Sequence, residues 1–121
     1  MTYVDGFVFV VAKKKIPAYT KMAQEAGKIW KKHGALAYKE CMGDDLHNKM
    51  PGLTFPKLKK LKKGETVWFS FITFKSKAHR DGVNKKVMKI FEEKYTEGDM
   101  NDMPFDMKRM SYGGFKTIVD L

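Results

Sequence analysis

An α+β domain of order β-α-β-β-α-β is predicted by three features of this 121-residue chain. Two strand-like runs carry apolar and aromatic residues on both faces, two helical stripes follow the first and third strands, and proline, glycine or serine marks the junctions. The composition supports a packed core: 43% of residues are hydrophobic, with 9 Phe, 5 Tyr and 2 Trp. That length is enough for one domain over residues 1–121.

Residues 3–12 form the first strand, with Phe7, Phe9 and Val11 on one face and Val4, Val8 and Val10 on the other. Pro17 opens a helix, where its missing N–H costs nothing. Tyr19, Met22, Ala23, Ala26, Ile29, Trp30 and His33 recur at helical spacing, and Gly34 ends the segment. A second strand is expected at about 35–43, followed by a long connection over 44–64 that contains Pro51, Gly52, Pro56 and Gly64.

Residues 66–74, Thr-Val-Trp-Phe-Ser-Phe-Ile-Thr-Phe, are the strongest strand signal. Ser76 caps the next helix, whose stripe is His79, Val83, Val87, Ile90 and Phe91. The last strand is placed at about 107–119, with Gly113-Gly114 marking a bulge or a close backbone approach. Right-handed crossovers then give a ferredoxin-like four-stranded antiparallel sheet with both helices on one face. The other face keeps large apolar residues, so a partner is expected to cover it.

Several function classes are narrowed by composition. The single cysteine, Cys41, forms no internal disulfide and suits a reducing, cytoplasmic setting. The apolar run 7–12 is too short to span a bilayer and follows Asp5, not basic residues, so neither a membrane anchor nor a secretory leader is expected. A net charge of +10 invites nucleic acid, acidic lipid or an anionic metabolite, but the lysines are scattered over helices and loop, as on a solvated surface.

Tyr3-Val4-Asp5-Gly6-Phe7, the stretch from Gly34-Ala35-Leu36 to Glu40-Cys41-Met42-Gly43-Asp44-Asp45, Ala78-His79-Arg80-Asp81 and Met103-Pro104-Phe105-Asp106 with Tyr112-Gly113-Gly114-Phe115 span nearly the whole chain. In these motifs the sequence resembles the YbaA-like family of bacterial domains of unknown function. The resemblance implies a homodimer in which two sheets pack face to face as a dimeric α/β barrel, and it brings no established activity. The run Lys57–Lys63 is more basic than the family's pattern.

The polar motif residues supply a candidate site. Glu40, His79 and Arg109 are a carboxylate, an imidazole and a guanidinium, the groups needed to hold a small, anionic molecule and move a proton. Cys41 and Tyr112 are expected beside them as ligand-binding groups. Glu40 shares a strand face with Tyr38 and Met42, and a carboxylate facing a closed interior needs a partner or a raised pKa; Arg109 is the expected partner. Each has a plain structural role as well: Cys41 as a buried apolar group, His79 as a packing residue, Arg109 as a cross-strand ion pair.

A metal is not expected, because Asp44, Asp45 and His47 lack regular ligand spacing, and no cofactor motif is present. The alternative function is RNA binding. The run 67–74 keeps the aromatic spacing of an RNA-recognition strand but has Val67 and Trp68 where that pattern has a basic residue and glycine. Phe69 and Phe71 would then stack bases, and the 57–63 lysines would meet phosphates. A third reading is an interaction protein without a catalytic site.

Overall fold

The computed structural model describes residues 1–47 and 49–121, with residues 100 and 101 described by backbone alone. Strands β1 (Tyr3–Ala12), β2 (Ala37–Met42), β3 (Glu65–Phe74) and β4 (Ser111–Lys116) form one sheet in the order β2-β3-β1-β4. All three pairings are antiparallel. Helix α1 (Ile16–Lys32) joins β1 to β2, and α3 (Lys77–Lys94) joins β3 to β4; two short helices, α2 (Phe55–Leu58) and α4 (Glu97–Asn101), lie in the connections. This is the expected ferredoxin-like α+β fold.

Register decides which side chains share a face. Phe7 pairs with Ser70, Phe9 with Trp68, and Glu40 with Ser70, so odd positions of β1 and even positions of β2 and β3 face the helices. Two clusters fill that layer. Phe9, Val11 and Trp68 pack with Tyr19 and Ala23 of α1, and Ile72 and Phe74 pack with Ala35 and with Val83 and Val87 of α3. The helix boundaries follow local chemistry: Pro17 lies in the first turn of α1, and Ser76 accepts the His79 N–H at 3.1 Å to cap α3.

The opposite face is half covered. Val10 and Val67 are 1% and 3% exposed, whereas Phe69 and Phe115 are 45% and 62% exposed. β2 ends at one edge of the sheet, and the connection that follows it reaches β4 at the other. Lys59 Nζ donates to the Arg109 carbonyl at 2.7 Å and to the Ser111 hydroxyl, and Arg109 donates back to the carbonyls of Lys59 and Lys60 at 2.8 and 3.1 Å. The connection is therefore a strap across one end of the sheet. Lys59 is buried, not a member of a solvated loop as the 57–63 run suggests, and burial lowers its pKa, with help from the Arg109 charge.

The expected strand at 107–119 is shorter. Met107–Arg109 form a 3₁₀ turn, its N–H at Lys108 bonded to the Asp106 carboxylate at 3.1 Å. Gly113-Gly114 continue the ladder without a bulge, opposite Gly6 and Asp5. The close approach is real: Tyr3 lies over Gly114, where a Cβ would meet its hydroxyl.

Candidate functional site

Glu40 stands on the helix side of edge strand β2, between sheet and α1. Tyr38, two residues earlier, points to the same side, and Tyr19 comes from the first turns of α1. Both phenols donate to one carboxylate oxygen: Tyr38 Oη to Glu40 Oε1 at 2.7 Å and Tyr19 Oη to the same atom at 2.9 Å. The second oxygen, Oε2, is buried and has no hydrogen-bond partner among the described residues. A buried acceptor left this way costs about 1–3 kcal/mol.

Beside it lies a cavity of ≈ 250 Å³ between α1, α3 and the sheet. Its wall is apolar apart from Glu40 and a few hydroxyls. Phe7, Phe9, Trp30, Phe91 and Phe105 supply rings, and Met22, Met88, Met103 and Met110 supply thioethers. The rings brace one another: Tyr19 meets Trp68 at 5.0 Å and Phe105 at 5.7 Å, and Trp30 stacks on Tyr38 at 5.8 Å. Trp30 Nε1 donates to Asn84 at 3.0 Å; Asn84 donates to the buried Asp5 at 3.2 Å, and Arg80 pairs with Asp5 at 2.7 Å. That chain fixes the indole from below. Methionines fill irregular space softly, so this wall can reshape around a guest.

Burial raises the pKa of Glu40, opposed by the hydrogen bonds from Tyr38 and Tyr19. Burial raises both phenols as well, with the Glu40 charge adding to the effect, so Tyr19 and Tyr38 remain protonated donors. The site thus holds one carboxyl group whose oriented oxygen is occupied and whose other oxygen is buried without a partner among the described residues.

The remaining expected site residues lie elsewhere. Arg109 does not meet Glu40: it forms a bidentate pair with Glu65 at 2.7 and 3.1 Å and holds the strap. Glu65 lies beside it in the chain's spatial order, at the start of β3, and takes the guanidinium first. His79 is half-buried at the start of α3, with Nδ1 accepting the Lys75 N–H at 3.0 Å and its ring edge on Phe74. Cys41 is exposed and points to the opposite sheet face, because it is one residue out of phase with Glu40. Tyr112 is 78% exposed and stacks on Phe7 at 6.5 Å, one ring removed from the cavity. Among the described residues no group of three His, Cys, Asp or Glu side chains could hold a metal ion.

The groups that contact Glu40 are therefore tyrosines, which charge-matching overlooks. Tyr38 at i−2 on the strand was visible as a face-mate; Tyr19 was visible only as one member of the α1 stripe.

Among the described residues no helix is long and apolar enough to cross a membrane. Two solved structures from uncultured marine organisms share the fold. Each is described as a dimeric ferredoxin-like protein. One aligns over the whole of both chains with a TM-score of 0.62 at 7% identity, and the other over 100% of this chain and 98% of its own with a TM-score of 0.53 at 6% identity. The uncharacterized protein YbaA of Escherichia coli K12 is 41% identical over 125 aligned residues, covering 99% of both chains, and that of Shigella flexneri matches equally. The model of a protein family of unknown function, DUF1428, matches residues 2–107, and the chain belongs to that family.

Proposed function

We propose that this protein binds a small, largely apolar molecule in the cavity between α1, α3 and the sheet, and that Glu40 exchanges a proton with it. The observation that carries this reading is the buried, unpartnered Oε2 of Glu40, a residue that lines the aromatic cavity while its Oε1 accepts from two phenols. Protonated, Oε2 donates to a carbonyl of the guest. Ionised, it accepts a proton from an acidic C–H or O–H of the guest and returns it at another atom, a net isomerisation that needs no co-reactant. The guest is not held by Arg109, which is committed to Glu65 and the strap.

The test uses 2-naphthol and naphthalene, planar probes that differ by one hydroxyl, followed by titration calorimetry. Both are expected to bind, 2-naphthol about tenfold tighter, an advantage that Glu40→Leu abolishes. Equal affinities in the wild type would remove Glu40 from the site, and binding of neither probe would remove the cavity reading.

We infer further that the open half of the other sheet face is covered by a second copy of the chain. Phe69, Phe71 and Phe115 lie together there with Val4 and Val8, and the two related folds described as dimeric support the pairing. Two sheets packed this way would leave one Glu40 cavity on each outer side. Sizing in solution is expected to give a dimer, and Phe69→Glu a monomer. A wild-type monomer at micromolar concentration would overturn this, and salt-dependent RNA binding lost in Phe69→Glu would assign the face to nucleic acid.

A further inference from the structure

The Glu40 cavity has an outer neighbour. A groove of ≈ 590 Å³ runs along the outside of α1 above the β2 edge, and Ala23, Tyr38 and Glu40 line both spaces. Thr20, Gln24, Lys28 and Lys31 follow one another at spacings of four, four and three, which places them along one side of the helix facing this groove. From Thr20 to Lys31 the helix rises about 16 Å. Gly27 lies between them and gives Tyr38 its place against the helix.

We infer that the molecule this site takes is an amphipathic anion, its apolar body in the cavity and its acidic end carried past Glu40 to Lys28 and Lys31 in the groove. The inference rests on the cavity reading above and specifies the class of guest.

The inner wall is rings and thioethers, and the outer wall adds a hydroxyl, an amide and two ammonium groups to an apolar floor of Ile16, Met42 and Trp68. Apart from Glu40 itself the groove wall carries no carboxylate among the described residues. Neither lysine forms an ion pair with a carboxylate among the described residues, although Lys31 donates to the Leu36 carbonyl at 2.8 Å. An ammonium has three donors, so Lys31 keeps two for a ligand. A cationic guest would meet both lysines at the mouth, within a chain of net charge +10. A wholly apolar guest would leave the ammonium groups of the groove unused. In its protonated form the Glu40 carboxyl would bridge the guest's polar junction without opposing the charge beyond it.

Two fluorescent probes of nearly the same shape test this. 8-Anilinonaphthalene-1-sulfonate carries a sulfonate that N-phenyl-1-naphthylamine lacks. The wild type is expected to bind the sulfonate at least tenfold tighter, and Lys28→Glu/Lys31→Glu to remove that preference while N-phenyl-1-naphthylamine binds unchanged. Both lysines are exposed, so the double variant should fold as the wild type does. Lys85→Glu, exposed on α3 and lining neither space, serves as the control and should change neither probe. Equal binding of both probes to the wild type, or an equal effect of Lys85→Glu, overturns the anion inference while leaving the cavity reading intact. Failure of both probes to bind overturns the two together.

Discussion

Tyr38 lies so close to Gly27 that a methyl group on the glycine would fall 2.6 Å from the tyrosine Cδ1. The edge strand and α1 meet at this point with a ring on one side and no side chain on the other. The contact sets where the Tyr38 hydroxyl ends, and hence the 2.7 Å bond to Glu40. Gly27→Ala should therefore behave against its helix propensity. Alanine would favour α1 by about 1 kcal/mol, but crowding the ring costs about 1–3 kcal/mol. We expect a net loss of stability in urea and weaker 2-naphthol binding. A more stable Gly27→Ala protein would show that the ring is free to move.

Glu40 makes stability depend on pH in an unusual direction for a carboxyl group. Its folded-state pKa is raised, mainly by burial, so between the unfolded and folded values the native state binds more protons than the unfolded chain. Its contribution is most favourable below the unfolded pKa and declines as pH rises through the folded one. Glu40→Gln, which keeps an acceptor for both phenols, should be more stable than the wild type at pH 8, by about 1.4 kcal/mol for each unit of the shift. The difference should vanish near pH 4. Denaturation curves at both pH values check the sign; a variant less stable at pH 8 would contradict it.

Glu65 has the opposite sign. The hydrogen bond from Arg109 is the largest cause of its lowered pKa, with burial opposing. Its contribution is present above the unfolded carboxylate pKa and is lost as pH falls through the lowered folded value. Arg109→Ala removes the guanidinium and frees the strap carbonyls it binds, at a cost of about 2 kcal/mol. The variant's stability should fall less steeply in acid than the wild type's. Binding of 2-naphthol should be unaffected, because Arg109 does not line the cavity.

His79 packs on Phe74 and accepts from the Lys75 backbone at the start of α3. Replacing it with Ala leaves the Lys75 N–H without its acceptor and should cost about 1 kcal/mol. Probe affinities should stay at wild-type values. A loss of binding without a loss of stability would return His79 to the site.

Strands and helices were legible because periodicity reports burial directly. The alternation in 3–12 placed Phe9 and Val11 on one side and Val8 and Val10 on the other, and the register adds Trp68 to the first side and Phe69 to the second. The last strand is shorter at both ends because the turn at Met107–Arg109 and the residues after Lys116 resemble strand sequence until the ladder partner is known. Glu40 was legible as a group needing compensation on an apolar face. Its partners were not, because charge suggests Arg109, whereas geometry gave that residue to Glu65 and left Glu40 to two phenols. Cys41 was expected to be buried, yet on an edge strand the face opposite the helices is open.

The strap also orders assembly in time. Lys59 reaches partners that lie 50 and 52 residues further along the chain. As the polypeptide leaves the ribosome, residues 43–64 are made long before the strand that receives them, and they have no far anchor until Ser111 has emerged. The last strand therefore fastens two things at once: its own ladder against β1 and the far end of the strap at Lys59. Loosening that clasp from either end would open both edges of the sheet together.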